Sequence, residues 1–185
     1  MSRRIAALFL LAICSAPVLA DNYENPLYSS WAKFKKNTVV TAKQTSDVAG
    51  QKTETITTYK LSELTADVAT VEVVSVSKAG GQEFKSEPFK MENKKMLDLP
   101  PGKKKEDVEK PEGLVDQGEE TLKIAGKEYK TKWVKVKTNQ GGIEVESKIW
   151  TSNEVPGLTV KMDTKTSGTG FSSVTMMEVT EIKNP

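Results

Sequence analysis

From Thr38 almost to the last residue, polar and apolar side chains alternate, and this period of two constrains the fold more than any other feature of the chain. It runs through "TVVTAKQTS", "TETITTYKLSEL", "ATVEVVSVS" and "EFKSEPFKM". It resumes in "ETLKIAG", "KEYKTKWVKVKT", "IEVESKIWTS", "LTVKMDTKTS" and "SSVTMMEVTEI". Residues two apart share one face of an extended chain, so each stretch reads as a half-buried β-strand. Thr, Val and Ile are abundant in them, as a pleated surface prefers. Short turn signals such as "AGGQ", "NQGG", "NEVPG" and "GTG" separate the stretches. Pro88 offers no amide to a ladder, which demotes its strand to an edge or bulged position.

About nine strands in sequential hairpins follow, with no second helix long enough for a parallel crossover. An antiparallel sheet of this length tends to curl, so the expected fold is mainly β: a curved sheet or half-open barrel. The pattern breaks between Glu92 and Glu120, where Lys, Glu, Pro and Gly dominate. That region reads as a charged, mobile loop between the two halves of the sheet. One helix is visible, in "ENPLYSSWAKFKKN". Asn25 caps it and Pro26 suits its first position. Leu27, Trp31 and Phe34 then fall on one stripe, with Lys33, Lys35 and Lys36 at the C-terminal end. Such a helix either lids a cavity or packs on the outside of the sheet.

Residues 1–20, "MSRRIAALFLLAICSAPVLA", have the three parts of a secretory signal: Arg3 and Arg4, an apolar run from Ile5 to Ile13, and small residues ending at Ala20. The apolar run is about half of what a bilayer span requires, so a stable transmembrane segment is not expected. Cys14 is preceded by Ile13 where a lipidation signal needs a small residue, and Ala6 and Ala7 stand where a twin-arginine signal carries Phe-Leu. The chain is therefore expected to be exported, to the periplasm or beyond the cell. Residues 21–185 would form a single β-rich domain.

Removing the signal changes the chemistry on offer. The chain has 27 Lys plus Arg and 25 Asp plus Glu, so loss of the two arginines leaves 25 lysines facing 25 acids. A nucleic-acid partner then loses its electrostatic basis. The same cleavage removes the only cysteine, and the sequence has no histidine. Ser-His-Asp and Cys-His catalysis, zinc and copper ligation and guanidinium clamps all lose their parts. A Ser-Lys pair, a carboxylate pair or oxygen ligation of calcium would remain, but none has a motif. "PPGKKKE" lacks the leading glycine and the Ser or Thr of a phosphate loop. The expectation is a protein that is not an enzyme and needs no cofactor or metal.

Alternation also predicts faces. Tyr129, Thr131 and Trp133 share one, with Val134 and Val136 on the other, so that a bulge or a strand buried on both sides is expected near Trp133. Ile143, Val145, Ser147 and Ile149 lie opposite Glu144, Glu146, Lys148 and Trp150. Trp150 is thus an aromatic on a charged face; it either pairs across the hairpin with Val160 or Met162 or covers the turn. Met162, Met176 and Met177 add pliable apolar surface.

"KIWTSNEVPGLTVKM" resembles a hairpin of exported bacterial proteins of the lipoprotein-carrier type, the LolA/LolB-like group. In those a strand ends in an aromatic, a polar turn follows and a proline leads into the return strand; Trp150, Pro156 and Val160 hold those places. "LKIAGKEYKTKWVKV" is similar to the hairpin before it, and the likeness spans Leu122 to Lys183. It implies a curved sheet around an apolar cavity with helical cover. The chain departs from the group in showing one helix and no arginine after the signal.

The reading that results is an exported, non-catalytic protein carrying a lipid or other apolar small molecule, with Trp31, Phe34, Tyr59, Trp133 and Trp150 as the ligand-binding residues. The alternative is a structural or interaction module of the cell envelope whose partner is another envelope protein.

Overall fold

A computed structural model describes residues 22–185; the expected signal sequence, with Cys14 and the cleavage expected after Ala20, lies outside the described residues. The strands are β1 (Asn22–Glu24), β2 (Val39–Val48), β3 (Gln51–Leu64), β4 (Val68–Ala79), β5 (Gln82–Lys85), β6 (Phe89–Lys94), β7 (Met96–Asp98), β8 (Leu114–Ile124), β9 (Lys127–Gln140), β10 (Ile143–Thr151), β11 (Thr159–Gly168) and β12 (Phe171–Lys183). Two short helices accompany them, α1 (Pro26–Trp31) and α2 (Lys105–Glu109). The fold is mainly β and antiparallel, as the alternation predicts.

Ten strands form one sheet in the order β5-β4-β3-β2-β12-β11-β10-β9-β8, with β6 beside β5 on the outer edge of β4. Two meanders are therefore joined by their first and last long strands, β2 and β12. The sheet does not close into a barrel. It is strongly coiled nonetheless, because Cα atoms of β8 and β12 approach within 8 Å. Strands four places apart in a flat sheet would be separated by about 19 Å.

The chain from 92 to 120 is more ordered than its composition suggests. β6 runs on to Lys94, β7 pairs with β1, and β8 begins at Leu114, so only residues 99–113 lie between strands, with α2 among them. Edge strands show a weaker apolar alternation because only one of their flanks is packed, which is why the first half of β8, before "ETLKI", reads as loop.

Pro88 acts by interruption. β5 and β6 lie end to end along β4, and Ser86 bridges the gap: its amide donates to Ser75 O at 2.8 Å and its hydroxyl accepts from the Ser75 amide at 2.9 Å.

The helix is shorter than the stripe implies. Asn25 caps it through Oδ1, which accepts from the Leu27 amide at 3.0 Å, with Pro26 at the first position. It stops at Trp31 because the Phe34 amide turns back to the Trp31 carbonyl and Asn37 adopts a left-handed φ of 73°, sending the chain into β2. The buried face is therefore Tyr28, Ser30 and Trp31, while Leu27 is exposed and the lysines lie beyond the last turn.

The core joins the two meanders through opposite faces of the sheet. On β2, β3, β4 and β12 the buried face carries Val40, Leu61, Val71, Val73 and Val179. Following the register through β11 and β10, the other face is the buried one on β8, β9 and β10, with Ile124, Tyr129, Thr131 and Trp150. The change of side falls at the β10–β11 connection, where a bulge follows Trp150 and the loop 152–158 enters the core. Val155 and Val160 are fully buried there. Gly157, at φ 82°, lies against the Trp31 ring and its amide donates to Ser30 Oγ at 3.1 Å. "WTSNEVPG" is thus the piece that seats α1 on the sheet.

Candidate functional site: an uncharged sheet face

The register sums the alternation of separate strands into one surface. Ile149 stands opposite Val134 on β9 and Met162 on β11, and Met162 opposite Met177 on β12. Val134, Ile149, Met162 and Met177 thereby form a continuous apolar row across four strands. All are half-buried, and none belongs to the buried cluster around Trp31 and Leu61.

The rows beside it are made of hydroxyls that satisfy one another. Ser147 bonds Thr164 at 2.9 Å and Ser46 bonds Thr175 at 3.0 Å. On the neighbouring strands Thr55 bonds Ser77 and Thr57 bonds Ser75, each at 2.9 Å. A hydroxyl paired to another across the ladder makes little further demand on water. From Ile149 on β10, through β11, β12, β2 and β3 to β4, this face carries no Asp, Glu or Lys, while on β9 Val134 and Val136 share it with Lys132, the partner of Thr151. α1 packs over β4 and β6 at one end; among the described residues no helix covers the Met162 end.

The opposite face is its electrostatic inverse. Lys43–Glu54, Lys135–Glu146 and Lys137–Glu144 pair across adjacent strands at 2.5, 2.9 and 3.0 Å. Within this field Trp150 pairs in register with Trp133 and Lys161, rather than with Val160 or Met162. β9 runs through Trp133 without a bulge. Lys148 Nζ lies 4.1 Å from the Trp133 ring centroid and 4.5 Å from that of Trp150, and Lys161 Nζ is 4.8 Å from Trp150. The Trp150 indole N–H donates to Glu120, which also pairs with Lys148 at 3.3 Å. The indole donor, and then Lys148 and Lys161, hold the Glu120 carboxyl below its ordinary range.

Two recesses open to solvent. One of about 540 Å³ is lined by Glu119, Lys130, Lys132, Ser152 and Glu154 among others; one of about 320 Å³ lies by the β2–β3 turn, with Asp47, Lys52 and Met176. Both are polar or mixed, and neither is lined by the five aromatics expected to hold a ligand.

Those five are distributed as follows. Trp31 and Trp150 are core residues, 2 % and 5 % exposed, and Tyr59 and Trp133 pack against the same cluster. Tyr59 lies on the uncharged face between Val40 and Val73, where burial raises its phenol pKa. Trp133 and Trp150 lie on the opposite face, and Phe34, half-buried in the turn after α1, is outside the cluster. Of the three methionines, Met162 and Met177 share the uncharged face and Met176 is exposed on the other. What single-strand reading misses is the row itself, because the signal is divided among hairpins whose register must first be known.

No protein-family model matches the chain. No curated protein matches it either. Among solved structures, a protein provisionally described as a lipoprotein, from Parabacteroides distasonis, is similar at 13% identity and a TM-score of 0.45, over 80% of this chain and 96% of that one.

Proposed function

We propose that this chain is a non-catalytic binding protein of the cell envelope that holds an apolar ligand, an acyl chain in chemical terms, along the uncharged face beyond α1. The observation that carries this reading is the absence of any charged side chain across that face from β10 through β11, β12, β2 and β3 to β4, with the hydroxyls paired among themselves. A surface exposed only to water has no reason to exclude lysine so thoroughly in a chain where lysine is abundant; a surface that meets hydrocarbon does.

A second reading, an interaction module without a small ligand, is favoured by the core itself. Trp31, Val155 and Trp150 belong to one buried cluster, which joins helix, loop and sheet without a ligand.

The two separate on titration with the fluorescent apolar probe N-phenyl-1-naphthylamine, followed by displacement with a long-chain fatty acid. Saturable, displaceable binding that Met162→Lys weakens about tenfold and Lys165→Gln leaves intact supports the first reading. An unchanged probe signal with the parent protein, or equal binding by folded Met162→Lys, sinks it.

A further inference from the structure

Four hairpins of the large sheet turn at one end of it. Their turns, at 80–81, 49–50, 169–170 and 141–142, follow one another along the strand order from β5 to β9. α1 marks the opposite end, where the Tyr28 hydroxyl bonds the carbonyls of Thr65 and Ala66 in the β3–β4 turn. Residues 48–51, 79–82, 138–143 and 166–174 carry no charged side chain, although 28% of the chain is charged. Turns are ordinarily where charge collects, so this end is selectively stripped of it.

Each of the four hairpins also presents one exposed apolar residue near its turn: Phe84, Val48, Phe171 and Ile143, 57 %, 47 %, 41 % and 41 % exposed. All four lie on the uncharged face. Phe84 stands opposite Ser77, Val48 opposite Ser173 and Phe171 opposite Gly168, while Ile143 shares its face with Ile149. The Phe171 ring rests on the backbone of Gly168, where a Cβ would stand 2.6 Å from Phe171 Cε1. Asp47, Lys52, Lys78, Glu83, Lys137 and Glu144 flank the turns, and every one lies on the other face. There Lys78 pairs with Glu83 at 3.4 Å and Lys137 with Glu144 at 3.0 Å. Between the rim and the row of Met162 and Met177, the uncharged face continues through Ser173, Thr175, Thr164 and Thr166.

We propose that this rim docks on the surface of a lipid bilayer, the source from which an acyl chain passes to the uncharged face. The docking rests on the acyl-chain reading for its purpose, though not for its geometry. Spacing selects the occupant. Neighbouring turns are two strands apart, about 10 Å, so the four apolar side chains stand singly among small polar residues. A protein interface asks for a contiguous packed apolar core, which this rim does not have. The boundary between head groups and acyl chains is fluid and takes in each side chain separately. With the flanking charges on the other face, apolar burial supplies the attraction instead of anionic head groups, and salt has little hold on it.

The test is sedimentation of the chain with phosphatidylcholine vesicles at low and high salt, beside vesicles that also contain phosphatidylglycerol. Partitioning that neither salt nor the anionic lipid changes is the expected result. The double variant Phe84→Glu, Phe171→Glu should partition about tenfold less while keeping the urea midpoint of the parent. Val48→Ser with Ile143→Ser tests the other two hairpins and should also weaken partitioning. Leu27→Glu, at an exposed apolar position on α1, should leave it unchanged. No sedimentation with vesicles, binding that requires phosphatidylglycerol and is lost in salt, or parent-like partitioning of both double variants overturns the proposal. A dimer that the first double variant abolishes also overturns it, by naming a second copy as the occupant. N-phenyl-1-naphthylamine binding is read separately: vesicle docking without it leaves the rim assigned and sinks the acyl-chain reading, and the reverse sinks the rim alone.

Discussion

The indole N–H of Trp150 donates to the carboxylate of Glu120, although Trp150 stands on β10 and Glu120 on β8, with β9 between them. Lys148 completes the arrangement by pairing with Glu120 while resting between the Trp133 and Trp150 rings. Its register partner Asp163 pairs instead with Lys161, at 3.4 Å. Three strands are thereby clasped on the charged face, and the clasp explains how a tryptophan stays buried among lysines.

This clasp has a pH signature. The Glu120 carboxyl is held below its ordinary value of 4.5, first by the indole donor and then by Lys148 and Lys161. A depressed carboxyl adds stability that is present above the unfolded pKa and is lost as pH falls through the folded one. Glu120→Gln should therefore lower Tm at neutral pH by about 1–2 °C, a small effect because solvent screens the pair. The gap between parent and variant should narrow below pH 4.5. Thermal melts from neutral to acid pH read it directly, and a gap that did not change with pH would refute the assignment.

Val155 carries a second prediction. It comes from a loop whose sequence, "TSNEVPG", shows nothing apolar except this residue and its proline, yet it is fully buried, in the same cluster as Trp31 and Leu61. Val155→Ala should cost about 1–3 kcal/mol through lost burial and the cavity left behind. Asn153→Ala, at an exposed position in the same loop, should be nearly neutral. Urea unfolding of the two variants decides whether the loop is a core element or a surface turn.

The hydroxyl of Ser30 ties helix to loop. Oγ accepts from the Gly157 amide at 3.1 Å and donates to the Leu27 carbonyl at 2.8 Å, and Ser30 is 1 % exposed. Ser30→Ala leaves the Gly157 amide without its acceptor, at a cost of about 1–3 kcal/mol. Faster hydrogen exchange at Gly157, with the sheet amides of β2 and β3 unaffected, is the accompanying local signature.

What the sequence revealed and what it concealed follow from the range of the interactions. The strands from β2 to β4 and β9 to β12 are legible because one face of each is shielded and its neighbour is wet, which writes the period into local sequence. β8 is poorly legible because, as an edge, it packs little; Ile124 alone of its side chains is buried. The helix is over-read because Leu27, Trp31 and Phe34 satisfy a helical spacing that Tyr28 and Trp31 satisfy as well; Asn37 decides in favour of the short one. Trp150 is correctly placed on the charged face, but its partners are set by the ladder and by Glu120, 30 residues away in sequence. The uncharged face is present residue by residue, and only pairing β12 with β2 makes it one surface.

Gly118 offers the last prediction. Glycine inside a strand usually weakens it, and here the absent side chain is replaced by the Trp133 indole, which reaches from β9 over the edge strand. A Cβ at this position would lie 2.8 and 2.9 Å from two ring atoms, closer than van der Waals contact permits, so Gly118→Val must displace the ring. Displacement moves Trp133 away from Lys148, whose Nζ is 4.1 Å from the ring centroid, and loosens the clasp on Trp150 as well. The expected cost is about 1–3 kcal/mol, from overpacking rather than from backbone strain. Trp133→Ala should relieve the clash: in the double variant the valine costs little beyond the loss of the ring, a coupling measurable by a double-mutant cycle. Additive effects of the two substitutions would mean that the indole does not occupy the space above Gly118.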